Sequence, residues 1–246
     1  MANRATVFEF TSYIFEPSKK RAVFQYTTHF SDREPMHFTE TILLPKVPEL
    51  QQIPKELLEK LLQSLHLILG ISYYKFYCAT NVKLSYKLSK EEANFWNTIY
   101  KNGLGEFYYK NNLDPKHSPK FPFNKTVKST NYSLPTTNRS LVGIGGGKDS
   151  IVAAELLKEH GFNFDSFVVQ TQKESPLVQE IISLIGKPQL KIERFLDWQV
   201  HLNHQYNGHI PISAIYAFLG VFSAVLYKYS YVIVGNEHSS DFGNTH

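Results

Sequence analysis

Leu141-Val142-Gly143-Ile144-Gly145-Gly146-Gly147-Lys148-Asp149-Ser150-Ile151-Val152-Ala153-Ala154-Glu155-Leu156-Leu157 is the stretch that decides the fold. Its apolar opening, Leu141 to Ile144, reads as a strand. The glycines read as a tight turn, and the amphipathic end reads as a helix closed by Gly161. Successive glycines let the backbone turn sharply and approach an anion with no Cβ in the way. The first N–H groups of the following helix have no intrahelical partner and point at whatever the loop holds. Lys148 adds a point charge suited to phosphate. A strand–helix turn with no ligand is the plain alternative, but one or two glycines normally suffice for a turn.

Two commoner phosphate loops do not fit. The Walker pattern needs Lys followed directly by Ser or Thr, and here Asp149 follows Lys148. The dinucleotide fingerprint needs G-x-G-x-x-G. Gly143 and Gly145 begin it, but Lys148 stands where the third glycine belongs. A carboxylate at Asp149 suits the helix dipole yet would repel phosphate. A bridging Mg²⁺ reconciles the two, since Mg²⁺ is held by one or two carboxylates together with phosphate oxygens.

The rest of the C-terminal half alternates in the same way. Strand Ser166 to Thr171 leads to helix Pro176 to Ile185, and strand Leu190 to Phe195 follows. After a polar loop around Asn203 to His209 come a helix from Pro211 and a strand Tyr231 to Val234. Strand–helix repetition predicts a parallel sheet with right-handed crossovers. Ligands of such sheets bind beyond the carboxyl ends of the strands. The glycine loop, residues Val169 to Gln172 and residues Gly235 to His238 are expected to meet there. Ile210 to Gly235 is almost wholly apolar and long enough for a membrane span. The interruption at Lys228 favours a buried helix followed by a buried strand.

The N-terminal half has a different pattern. Phe8 to Phe38 alternates in runs separated by Glu16-Pro17-Ser18-Lys19-Lys20 and Ser31-Asp32-Arg33-Glu34-Pro35, which predicts an antiparallel meander continuing through His37 to Leu44. Leu57, Leu58, Leu61, Leu62, Leu65 and Ile68 share one face of a helix over Lys55 to Leu69, stopped by Gly70. Ser89-Lys90-Glu91-Glu92 is a capping-box signature for a helix from Lys90 to Lys101, ended by Gly103. Aromatic clusters beside glycines, at Ile71 to Lys75 and Gly103 to Phe107, are either ligand-facing or core tyrosines with satisfied hydroxyls, the latter being simpler. Asn111 to Arg139 is rich in Pro, Asn, Lys, Ser and Thr and reads as a linker.

The 246 residues are 42% hydrophobic and 20% charged, within the range of one large or two small globular units. The formal net charge of +4 suits an anionic ligand, with no Lys/Arg block that would demand nucleic acid. The single cysteine, Cys78, excludes an internal disulfide. No apolar signal core follows Met1. A cytoplasmic protein without membrane or nucleic-acid partners is expected, and the sequence leaves the oligomeric state open.

Gly145-Gly146-Gly147-Lys148-Asp149-Ser150 resembles the PP-loop of the N-type ATP pyrophosphatases, usually S-G-G-x-D-S, with Gly145 in place of the leading Ser. With the blocks Ile71-Ser72-Tyr73-Tyr74-Lys75, Gly103-Leu104-Gly105-Glu106-Phe107, Asn207-Gly208-His209-Ile210-Pro211 and Asn236-Glu237, the chain resembles the UDP-N-acetyl-α-D-muramoyl-L-alanyl-L-glutamate epimerase family of peptidoglycan synthesis. The linker at 111–139 divides an expected α+β N-terminal domain (antiparallel meander plus helices, residues 1–110) from the C-terminal half. The resemblance implies that a parallel-sheet α/β PP-loop domain of the adenine nucleotide α-hydrolase-like kind (140–246) follows. The family's chains are longer, so this last domain is expected to be incomplete at its C-terminus.

That likeness implies an isomerase driven by ATP. The terminal L-glutamate of UDP-MurNAc-L-Ala-L-Glu would be activated as an acyl adenylate, epimerised to D-glutamate and released with AMP and pyrophosphate. Gly145, Gly146, Gly147, Lys148 and Ser150 would bind phosphates, with Lys148 also neutralising them, and Asp149 would hold Mg²⁺. Gln170 and Thr171 would face the adenine or ribose, and Asn207, His209, Asn236 and Glu237 would line the substrate site. His209, which titrates nearest neutral pH, Glu237 and a pKa-depressed Cys78 are the candidate bases. Each of these taken alone is more simply a packing residue. A PP-loop enzyme acting on a nucleoside or tRNA, and a non-catalytic nucleotide-binding fragment, remain as alternatives.

Overall fold

The computed structural model describes residues 5–127, 131–171 and 173–236. The meander forms as the alternation predicts: β1 (Val7–Glu16), β2 (Arg21–His29) and β3 (Met36–Leu43) pair antiparallel in order. Phe8, Phe10, Phe24, Tyr26, Phe38 and Ile42 are buried. Helix α1 (Lys55–Tyr74) lies on that apolar surface. It does not stop at Gly70 but runs on to Tyr74. A Cβ at Gly70 would lie 2.5 Å from the Phe10 ring and 2.9 Å from that of Tyr26. Glycine there allows helix and strands to approach; it does not end the helix.

Strand β4 (Asn81–Leu84), which the sequence does not announce, joins the free edge of β1 in parallel. Helix α2 (Lys90–Gly103) opens at the expected capping box. The Glu92 N–H donates to Ser89 Oγ at 3.1 Å, and the Ser89 N–H donates to the Glu92 carboxylate at 2.6 Å. The Gly103–Phe107 stretch leads into a short helix, α3 (Gly105–Lys110), with Phe107 and Tyr108 in the core. The stretch read as a linker is anchored near Phe121, and its last residues, from Thr137, already belong to the next strand. Phe121 is buried against Phe10 and Tyr100, and its N–H donates to Asn97 Oδ1 at 2.8 Å.

The second half alternates as read: β5 (Thr137–Gly143), α4 (Lys148–Glu159), β6 (Phe164–Gln170), α5 (Pro176–Ile185), β7 (Gln189–Phe195), α6 (Ile212–Tyr227) and β8 (Tyr229–Ile233). The apolar run from Ile210 is therefore a helix and a strand, divided at Lys228 in the left-handed region at φ 62°. Among the described residues no helix is long and apolar enough to cross a membrane. β5 to β8 are parallel, but they do not make a sheet of their own. β7 pairs antiparallel with β3 through Thr41↔Phe195, Ile42↔Arg194 and Leu43↔Glu193. The result is one mixed eight-stranded sheet, ordered β4-β1-β2-β3-β7-β6-β5-β8.

Helices α1 and α6 pack together on one face of this sheet, in a core that draws on both halves. Helices α4 and α5 cover the other face of the parallel strands over a smaller core that includes Val142, Phe164 and Val168. The chain runs β5-β6-β7 in one direction and then places β8 on the opposite side of β5. The carboxyl ends of β5 and β8 thus flank the point where strand order reverses, where open α/β sheets bind ligands.

The seam between the halves carries a buried ion pair. Glu40 of β3 and Arg194 of β7 are 0% and 2% exposed, with Arg194 Nε 2.6 Å from Glu40 Oε1. Arg194 Nη2 donates to Ser72 Oγ of α1 at 2.8 Å and to Glu40 Oε2 at 3.3 Å. Removing one partner leaves a buried charge alone, so Glu40→Gln or Arg194→Met should each cost about 3–5 kcal/mol in urea unfolding, whereas Glu40→Met with Arg194→Met together should cost much less. Equal losses in the single and double variants would refute this.

His66, also on α1, is fully buried and its Nε2 lies 3.0 Å from the Gln25 carbonyl oxygen, so this nitrogen carries the proton. Burial pushes its pKa down from 6.5 to about 4, against the opposing pull of that hydrogen bond. The unfolded chain therefore takes up the proton first as pH falls. Stability is full above about pH 6.5 and is lost progressively toward pH 4, by on the order of 3 kcal/mol. Thermal midpoints measured between pH 7 and 4.5 should fall accordingly, and His66→Gln should flatten that limb.

Candidate functional site

The glycine loop leaves β5 at the reversal point and enters α4 with Gly147 as N-cap and no side-chain cap. Among the described residues no heavy atom outside the adjoining chain lies within 4 Å of where a Cβ would stand on Gly145 or Gly147. Gly146 sits at φ 89°, a conformation that favours glycine. The loop is thus open beside Gly145 and Gly147 and leads into N–H groups with no side-chain cap, which fits phosphate oxygens. Lys148 is exposed and Asp149 half-buried. Among the described residues no group of three His, Cys, Asp or Glu side chains could hold a metal. Asp149 fits as a lone carboxylate that shares Mg²⁺ with phosphates. Ser150 is buried, and its Oγ donates to the Gly147 carbonyl at 2.8 Å, so in this state its proton holds the loop.

The exit of β8 closes the other side. A Cβ on Gly235 would stand 2.3 Å from the Asp149 carbonyl oxygen and 3.0 Å from the Ser150 nitrogen. The backbone of residue 235 therefore rests on the first turn of α4, as expected for the segment that begins Gly235-Asn236. Asn236 is exposed. Glu237, His238 and Gln172 lie outside the described residues.

At the end of β6 the strand alternation separates two residues predicted to share a ligand. Gln170 falls on the side of Val168, toward α4 and α5, and its Oε1 is buried without a hydrogen-bond partner among the described residues. Thr171 instead lines a cavity of 180 Å³ on the opposite side, with Ser72, Lys75 and Arg194.

A second assembly forms from three of the sequence blocks. Lys75 Nζ donates to the Gly208 carbonyl at 2.8 Å. Asn111 Nδ2 donates to the Asn207 carbonyl at 2.9 Å, and the Asn207 side chain accepts from the Gly208 N–H. His209 Nδ1 stands 3.3 Å from Glu106 Oε1. Glu106 also pairs with Lys110, and Lys110 first and His209 second hold its carboxyl below the usual range. A Cβ on Gly103 would meet the Pro211 ring at 2.8 Å, and one on Gly208, at φ 154°, would meet Phe107 at 3.1 Å. The glycines of these blocks thus allow α2, α3 and the segment before α6 to touch.

His209 is 79% exposed at its side chain, and Asn207 is exposed. Cys78 differs: burial pushes its thiol up to about 12, which keeps it protonated and opposes its use as a base. Lys75 was legible only as one letter of a block. Its signal is a lysine at the end of an otherwise apolar helical run, Leu65 to Tyr74, broken only by His66, Gly70 and Ser72.

The arrangement is an α/β fold whose mixed sheet presents an open glycine loop at its reversal point. The chain belongs to the MurL N-terminal domain family, whose model matches residues 1–246. That match runs through the meander and the parallel strands alike. The chain is similar to a protein of Xanthomonas oryzae pv. oryzae named UDP-N-acetyl-alpha-D-muramoyl-L-alanyl-L-glutamate epimerase, 34% identical over 83% of this chain and 46% of that protein. Proteins of the same name from Salinispora tropica and a Micromonospora species are 30% and 31% identical over 98% of this chain, covering 53% and 54% of their own lengths. The chain spans about half the length of these curated relatives.

The contact at Gly235 is testable without any ligand. Gly235→Ala should displace the first turn of α4 and lower stability by roughly 1–3 kcal/mol, as overpacking does. Hydrogen exchange at Ile151, Val152 and Ala153, whose N–H groups bond back to the first turn, should speed up. A variant that melts like the parent, with unchanged exchange there, would contradict the contact.

Proposed function

We propose that this chain contributes the ATP-binding and substrate-activating part of an epimerase acting on UDP-N-acetylmuramoyl-L-alanyl-L-glutamate in peptidoglycan synthesis. The observation that carries the reading is the open glycine loop, ahead of an uncapped helix at the strand-order reversal, in a chain whose relatives bear that epimerase's name.

The chemistry explains why ATP is needed. Inverting the α-carbon of a terminal glutamate means removing its proton beside a free carboxylate, which would place two negative charges side by side. Converting that carboxylate to an acyl adenylate removes its charge and makes the α-proton more acidic. Pyrophosphate leaves in that step, and hydrolysis of the adenylate then releases AMP. In this reading the backbone of Gly145, Gly146 and Gly147 receives the β- and γ-phosphates, Lys148 neutralises them and Ser150 keeps the loop in shape. Mg²⁺, held at Asp149, would draw off phosphate charge. Gln170 serves the nucleotide from the end of β6. Asn207, His209, Asn236 and Glu237 border the substrate, with His209 and Glu237 as the groups that move the proton.

The test is release of AMP and pyrophosphate by the intact gene product, dependent on the muramoyl dipeptide nucleotide, with D-glutamate appearing in the product. Nucleotide turnover that leaves all the glutamate in the L form would refute the reading. Lys148→Ala and Asp149→Asn should each lower AMP release by about 100-fold, the scale of losing one charge-stabilising group. Unchanged release in either variant would remove the role given to that residue.

A further inference from the structure

The cavity lined by Thr171 lies on the α1/α6 side of the sheet, across the end of β6 from the glycine loop. Its 180 Å³ falls short of the roughly 300–1,000 Å³ of sites that enclose a whole small molecule. It has room for one substituent of a larger ligand. Phe76 and Ile210 are among its apolar walls, and its polar groups are Ser72, Lys75, Thr171 and Arg194.

The charges in this cavity do not balance. The Arg194 guanidinium is matched by Glu40, which takes two of its hydrogen bonds, while a third goes to Ser72. Lys75 has no carboxylate partner among the described residues. Its ammonium donates one hydrogen bond, to the Gly208 carbonyl, and lies 5.7 Å from the Phe76 ring centroid. Two of its three N–H donors remain for a ligand. A half-buried cation without a counter-ion is costly, and burial indeed pulls the Lys75 pKa down. One uncompensated positive charge in a space for one substituent calls for a monoanion, hence a carboxylate and not a phosphate dianion.

We propose that Lys75, with Ser72 and Thr171 beside it, binds the side-chain carboxylate of the terminal glutamyl residue, so that only the α-carboxylate is left to reach the nucleotide. This rests on the reading given under Proposed function and adds to it the means of choosing between the substrate's two carboxylates. A glutamyl residue offers two similar acyl groups. Activation of the distant one would leave the α-proton no more acidic than before. Fixing that group in a cavity across β6 from the phosphate loop settles the choice by position.

The test compares UDP-N-acetylmuramoyl-L-alanyl-L-glutamate with the same compound ending in L-glutamine, using the intact gene product and calorimetric binding. The glutamine compound keeps the shape and loses the side-chain charge. The parent protein should prefer the glutamate compound by about 10- to 100-fold, the range of a hydrogen bond to a charged group. Lys75→Met should bring the ratio near one, chiefly by weakening the glutamate compound, and Lys75→Arg should keep part of it. Lys75→Gln provides a second neutral variant should the first fold poorly. A ratio in both neutral variants equal to the parent's, including an equal loss for both compounds, would overturn the role of Lys75 while leaving the proposed function standing. Failure of the parent to bind either compound would instead remove the proposed function, and this inference with it.

Discussion

Glu40 and Arg194 face each other under α1, where β3 and β7 pair and join the meander half of the sheet to the parallel half. Three residue pairs are a short seam for two such different halves. Burying two charges there carries a desolvation cost that hydrophobic residues would avoid, and what it secures is registry. Glu40 belongs to β3, Arg194 to β7 and Ser72 to α1, so the fork of one guanidinium ties both strands to the helix above them. Burial alone would depress the Arg194 pKa; the Glu40 carboxylate more than offsets this and holds it above its ordinary value.

Close backbone approach is the second constraint. Gly70 lets α1 lie on the rings of Phe10 and Tyr26, Gly103 lets α2 meet Pro211, and Gly235 lets the exit of β8 rest on α4. Each of these glycines brings together segments distant in the chain. Gly103, with Gly208 against Phe107, lets sequence blocks that lie far apart between Ile71 and Pro211 gather into one assembly. The glycine loop differs: among the described residues a Cβ on Gly145 or Gly147 would meet nothing outside the adjoining chain, so these glycines keep space open.

Local patterns were read well where the signal is local. The capping box at Ser89, the meander of β1 to β3 and the alternation from β5 to β8 depend on residues near one another in the chain, and all are present. Gly70 reads as a helix stop because a glycine that ends a helix and one that admits a neighbouring strand look alike until the neighbour is known. β4 is hard to read because its alternation, Asn81-Val82-Lys83-Leu84, spans only four residues and gains its pairing from β1. Cys78 was open as a candidate base because thiol chemistry depends on burial, and burial is a property of the packed chain.

The sequence by itself determined the strand–glycine–helix unit, the order of elements and the identity of the groups that can meet an anion. Backbone freedom, amphipathic period and side-chain charge are properties of neighbouring residues. Only the tertiary structure decided that the two halves share one sheet, that Arg194 has a carboxylate partner while Lys75 has none among the described residues, and that Gln170 and Thr171 lie on opposite sides of β6. Pairing and exposure arise between segments far apart in the chain, where no local pattern carries a signal.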